Sequence, residues 1–129
     1  TLCVMNGIEF LLDTNMVIGL IKGHISAIAL AETNNLSLSK AAVSQITRME
    51  LLGYSRLTVD EENAIRGFLA DCQIRLLDET IEACAIQLRR SGGFKLPDAI
   101  VAATALTGAL RLLTLDQGMI RGLQKAGIQ

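Results

Sequence analysis

The stretch IEFLLDTN, residues 8–15, passes from an apolar run to Asp13-Thr14-Asn15, a turn and helix-start cluster, and then into the apolar segment MVIGLI. A short apolar run closed in this way reads as a buried strand that turns directly into a helix. The same pattern recurs along the chain. AAVSQI (41–46), QIRLL (73–77) and LRLLTL (110–115) are three further strand candidates. Between them the period changes: Ile65, Phe68, Leu69 and Cys72 recur at i, i+3, i+4 and i+7, as do Ile81, Cys84, Ala85 and Leu88. Thr58 with Glu61 forms a capping box ahead of the first helical stripe, and Gly92-Gly93 closes the second. Strands separated by helices rather than by two-residue hairpin turns predict an α/β fold, with a mostly parallel central sheet of four or five strands covered by helices on both faces. In such a sheet, ligands and catalytic groups collect beyond the carboxyl ends of the strands.

Composition narrows the class. At 129 residues the chain is expected to form one domain, residues 1–129, with a sizeable core. Half of it is apolar, proline occurs once, and no repetitive or polar tract appears. The longest charge-free apolar segment, Ala99 to Leu110, is shorter than the roughly 18 residues a membrane span requires. The N-terminal TLCVMNGIEF lacks a basic start and an apolar signal core, so a cytoplasmic protein is expected. Cys3, Cys72 and Cys84 have no metal-binding spacing and read as reduced core thiols. Twelve basic against thirteen acidic residues leave a net charge of −1, and only four aromatics are present. That balance argues against an electrostatically driven, sequence-reading nucleic-acid binder.

Most acidic residues lie in solvated company, but Asp13, Glu50, Asp98 and Asp116 do not. Asp13 and Asp116 each end a strand and should project at the carboxyl edge of the sheet, although a helix cap would account for either alone. Glu50 shares a helical face with Ile46, Met49 and Gly53, and a capping box from Thr47 to Glu50 is its plainer explanation. Asp98 follows Pro97 at a helix start, where the dipole favours an acid by about 0.3 to 1 kcal/mol. Behind it AIVAATALTGAL is apolar on almost every side, which puts this carboxylate beside the core. Asp78, which also ends a strand candidate, runs into an amphipathic helix and reads as a cap only. Four carboxylates at one edge would repel one another and raise some of their pKa values unless cations neutralise them. Oxygen donors without His or Cys suit Mg²⁺ or Mn²⁺, and such an ion orients a phosphodiester and activates water. Chemistry on phosphates is the expectation.

FLLDTN (10–15), ITRMELLG (46–53), LPDAIVAATAL (96–106) and LLTLD (112–116) together resemble the PIN domain, in particular the VapC toxins of prokaryotic type II toxin–antitoxin pairs. The ordered set spans nearly the whole chain. The resemblance implies a PIN-like three-layer α/β/α fold and a metal-dependent ribonuclease in which Asp13, Glu50, Asp98 and Asp116 hold Mg²⁺ or Mn²⁺. It casts Thr14, Asn15 and Thr114 as supporting residues. It further implies a VapB-type antitoxin, a homodimer and an RNA substrate. Many relatives carry an Asp-Phe pair soon after the last acid; here Gln117-Gly118-Met119-Ile120 follows, so Asp116 is the single late acid. Lys40, Arg48 and Arg56 are candidates for holding RNA phosphates, though a solvated face explains each of them, and the lone His24 reads as a surface residue. Two other readings compete: a catalytically silent PIN-like module that binds a partner protein, and a phosphoacceptor signalling domain. The latter wants a paired acid after the first strand and a late Lys-Pro, neither of which is present.

Overall fold

The structure is a computed structural model that describes residues 7–127. Its described strands are β1 (Phe10–Leu12), β2 (Ala41–Ser44), β3 (Gln73–Arg75) and β4 (Arg111–Leu113). All pair in parallel, in the order β3-β2-β1-β4. The helices are α1 (Thr14–Lys22), α2 (Ile25–Thr33), α3 (Gln45–Leu52), α4 (Val59–Ala70), α5 (Glu79–Gly92), α6 (Leu96–Thr107) and α7 (Gln117–Lys125), with a short 3₁₀ turn at Leu38–Lys40. The expected alternation of strand and helix, and the covered parallel sheet, are both present.

Side-chain alternation along each strand divides the interior into two layers. Leu11 and Ala42 face a cluster built from α5, α6, α7 and the loop between α5 and α6, including Ile81, Leu88, Phe94, Val101 and Met119. Phe10, Leu12, Ala41 and Val43 face the opposite cluster, with Met16, Val17, Ala27, Leu51, Ile65 and Leu69 from the helices of the first half. Helix α6 carries an unbroken buried run from Ala99 to Ala105, as its all-round apolar sequence requires. No single described helix is long and apolar enough to cross a membrane.

Local chemistry moves several boundaries. Each strand is shorter than its apolar run. After β2 the Ser44 hydroxyl accepts from the Ile46 N–H and opens α3 at Gln45, so Gln45 and Ile46 are helical. The Thr47–Glu50 capping box is therefore absent, because Thr47 lies inside the helix and is fully buried. Ile46, Met49 and Glu50 do not share a buried face either: Thr47 and Leu51 face the core while Met49 is exposed. The capping box at Thr58 and Glu61 does form, through reciprocal bonds of 2.9 and 3.1 Å. Gly93 ends α5 at φ 68°, a conformation that suits glycine. Cys72 falls beyond the end of α4, half-buried in the turn to β3, where burial pushes its thiol up to about 11. Cys84 is half-buried on α5, and both are free thiols. Cys3 lies outside the described residues.

Candidate functional site

In the order β3-β2-β1-β4 the chain leaves β1 toward β2 and later returns to place β4 on the other flank of β1. The carboxyl ends of these central strands are where an open α/β sheet forms its crevice. Residues immediately after β1 and β4 open onto an indentation of about 220 Å³ there, lined by Asp13, Thr14, Asn15, Glu50, Asp98, Val101, Asp116 and Met119. The four acids singled out in the sequence thus come from four separate elements to one hollow. Val101 and Met119 supply apolar surface within it.

Each acid has its own mount. Asp13 is the N-cap of α1 and is only 7% exposed. Its Oδ1 accepts from the Met16 N–H at 2.9 Å, and its Oδ2 accepts from the Thr114 hydroxyl at the end of β4. Thr114 in turn accepts from the Asp116 N–H at 3.0 Å, tying the two strand ends together. Asp116 caps α7: its Oδ1 receives the N–H groups of Gly118 and Met119, and among the described residues its Oδ2 has no donor. Asp13 and Asp116 are both helix caps, and a cap's carboxylate retains lone pairs that it can offer to the hollow. Asp98 sits in the first turn of α6 behind Pro97, half-buried and without a side-chain hydrogen bond among the described residues. Glu50 is exposed on α3, and the Thr14 hydroxyl donates to its Oε1 at 2.5 Å. Asn15 is exposed at the rim.

Burial is the largest force acting on these acids. Loss of water pushes the Asp13 carboxyl above its ordinary range, against the bonds from Thr114 and Met16, and Asp116 and Asp98 push it further. Asp98 is raised in the same sense by burial first and then by Asp116 and Glu50, while Lys95 acts against them. Mutual repulsion of the carboxylates is therefore present but second to desolvation. Lys95, the N-cap residue of α6, was not singled out in the sequence; its signal was the three-residue spacing to Asp98 across one helical turn.

The basic candidates are less well placed. Lys40 precedes β2, at the amino edge of the sheet, where its carbonyl accepts from the Glu9 N–H and its ammonium stands 3.9 Å from Glu9. It is thus at the opposite end of the strands from the acids and does not line their hollow. Arg48 on α3 and Arg56 in the following loop lie outside the lining as well, without ion pairs among the described residues. The N-cap role of Asp78 is as expected, with its Oδ1 accepting from Ile81 N–H at 2.8 Å.

The donor set fits a hard divalent cation. It is oxygen only, and desolvation together with repulsion raises the cost of leaving the acids ionised and unneutralised. Among the described residues no three His, Cys, Asp or Glu side chains already converge as a metal-binding group. The carboxylates surround the hollow rather than meet at one point.

Comparison with known proteins places this arrangement. No significant match appears among curated protein sequences. Among solved structures, a toxin–antitoxin complex from Klebsiella pneumoniae is similar at 30% identity and a TM-score of 0.76, over 91% of this chain and 94% of that one. FitAcB from Neisseria gonorrhoeae follows at 25% identity and 0.72, over 90% and 94%. VapBC2 from Rickettsia felis, bound to a DNA fragment from its promoter, shares the fold at 20% identity and 0.71, over 88% and 92%. The PIN domain family matches residues 10–122. On that match, which takes in every strand and all four acids, the chain belongs to the PIN domain family.

Proposed function

We propose that the protein is an endoribonuclease toxin of the VapC type, hydrolysing RNA phosphodiester bonds with Mg²⁺ or Mn²⁺ held by Asp13, Glu50, Asp98 and Asp116. The observation that carries the reading is the convergence of these four acids on one hollow at the carboxyl edge of the sheet. A divalent cation bound there supplies charge neutralisation at the phosphate and a lowered pKa for attacking water. The protein's own residues supply the frame. Thr114 and the Met16 N–H fix both oxygens of Asp13, Thr14 steadies Glu50, and the α7 cap leaves Asp116 one oxygen to offer. The buried run of α6 keeps Asp98 at a constant height above the sheet. Val101 and Met119 limit water on the floor.

Phosphate contacts fall to Lys95 beside Asp98 and to Arg48 and Arg56 on the α3 side, Lys40 being at the wrong edge. The likeness to a solved toxin–antitoxin complex supports an antitoxin partner for this chain, and we further propose that the chain forms a homodimer. Co-expression with a small open reading frame adjacent to the coding sequence should yield a co-purifying complex, and light scattering of the isolated chain should give twice its mass.

The deciding assay is cleavage of an RNA pool with Mg²⁺ or Mn²⁺, beside EDTA and Asp98→Asn controls. Cleavage is expected only in the metal-loaded wild type. Survival in both controls would sink the carboxylate–metal mechanism, and a well-folded protein that cleaves nothing would instead be the binding module.

A further inference from the structure

Outside the acidic hollow, one aromatic ring touches the helices that carry two of its acids. Gly93, Phe94 and Lys95 link α5 to α6, and of the three only Phe94 is buried, at 8% exposed. Its ring lies against two glycines. A Cβ built on Gly122, inside α7, would stand 2.9 Å from Phe94 Cε1 and 3.0 Å from Cζ. One built on Gly92, the last residue of α5, would stand 2.9 Å from Cε2 and 3.0 Å from Cδ2. The glycines therefore meet opposite edges of one ring, and neither has room for a methyl group.

Backbone conformation does not account for these glycines, because neither is among those at positive φ. Gly122 lies within a helix, where glycine is a poorer helix former than alanine. What both positions supply is space for the ring. Chain connectivity carries the contact to the acids. Phe94 comes one turn before Asp98, and Pro97 restricts the backbone between them. Gly122 stands in the helix that Asp116 caps, about 9 Å along it at the α-helical rise. Helix α7 packs on α5, and Phe94 shares one buried cluster with Met119 and Leu123 of α7. A flat ring in a close-packed interior passes a displacement on instead of absorbing it.

We propose that Phe94 is a positioning residue for the acidic site: its ring, wedged between Gly92 and Gly122, sets how α7 stands against the start of α6 and so fixes the separation of Asp116 and Asp98 across the hollow. The purpose of that separation rests on the metal-binding reading above; the packing does not. A methyl group on Gly122 has to push α7 or the ring aside. Leucine in place of Phe94 vacates the ring edge that such a methyl group would occupy, so the two changes together should compensate.

The test has two arms on the metal-free full chain. In the first, backbone N–H residual dipolar couplings measure the tilt of α7 against α6 in wild type, Gly122→Ala and Phe94→Leu/Gly122→Ala. Gly122→Ala should turn α7 while α6 keeps its orientation on the sheet, and the double variant should move back toward wild type. Wild-type couplings throughout α7 in Gly122→Ala overturn the proposal. In the second arm, Mn²⁺ alone is titrated by electron paramagnetic resonance. Gly122→Ala should bind about 10-fold more weakly, as loss of outer support does, and the double variant should recover most of the affinity. Leu69→Ala, in the opposite core layer, is the control for stability: it should lower Tm and keep wild-type Mn²⁺ affinity. A loss in Leu69→Ala equal to that in Gly122→Ala, or losses that add in the double variant, would overturn the proposal. Should Gly122→Ala fail to fold, Phe94→Leu alone is read in its place, and an unmoved α7 with unchanged affinity overturns the proposal there too. A wild type that binds no Mn²⁺ while the couplings shift as expected would fault the metal reading and leave the wedge standing.

Discussion

Asp98 carries the most direct test at the scale of one residue. Its carboxyl is raised by burial and by Asp116 and Glu50, so the folded chain holds this proton more tightly than the unfolded chain does. Above the ordinary carboxylate range, ionisation of Asp98 therefore subtracts from stability. Asp98→Asn should raise Tm in EDTA at pH 7 and leave it unchanged at pH 3, where both side chains are neutral. The gain should be under about 1 kcal/mol, because the group is half-exposed and water screens it. Cleavage in Mg²⁺ should fall by at least about 100-fold, the upper end of what loss of an outer-shell partner costs. Stabilisation with lost activity separates a functional acid from a structural one: a helix-start acid kept for the dipole would lower Tm on replacement. At this scale the sequence was informative where a residue broke its local pattern, as Asp98 did in an apolar helix. It was silent on what Thr114 holds, since its hydroxyl reaches Asp13 only because the fold sets β4 beside β1.

Elements were legible where period and punctuation agreed. The stripe Ile65, Phe68 and Leu69 with its Thr58 capping box gave α4, and the Ile81, Ala85 and Leu88 stripe with Gly93 gave α5. Helix α2 was not, because only Ala27 of its residues is buried while Ile25 is 85% exposed, so no apolar stripe marks it. The strand ends were overrun for a different reason. Apolar residues continue past the last ladder bond into the helix that follows, and a Ser44 cap is a weaker signal than the isoleucine after it. The helix with the longest buried run, α6, is also the one that mounts Asp98. Ala102 and Ala103 are 0% exposed in its middle, and a close-packed interior does not accept added methylenes freely. Ala102→Leu should cost about 1 to 3 kcal/mol in urea unfolding. Ser44→Ala, which removes the buried cap of α3, should cost about 1 kcal/mol. A Leu tolerated at 102 without loss would mean that α6 is loosely packed and a poor mount.

For the whole molecule, a nearly neutral chain concentrates its electrostatic cost in one place. Asp13 and Asp98 are both raised mainly by burial, so in the absence of metal their contribution to stability declines as pH rises above the ordinary carboxylate range. On the proposed function, a cation held by the ionised acids would offset that cost and would bind only the folded chain. Saturating Mg²⁺ at 100 times its Kd should stabilise by about 2.7 kcal/mol. In a domain of this size that is roughly 10 °C in Tm. The two effects have opposite slopes. Near pH 4, protons compete for the acids and added Mg²⁺ should move Tm little; toward pH 7.5 the metal-free protein loses these carboxyl protons and the Mg²⁺-induced rise should be largest. Asp98→Asn should flatten the rise across the whole range. Differential scanning calorimetry at several pH values, with Mg²⁺ and with EDTA, measures both slopes at once. A rise that did not depend on pH, or one that Asp98→Asn retained in full, would place the binding ion away from these carboxylates and break the link between the hollow at the sheet edge and phosphodiester chemistry.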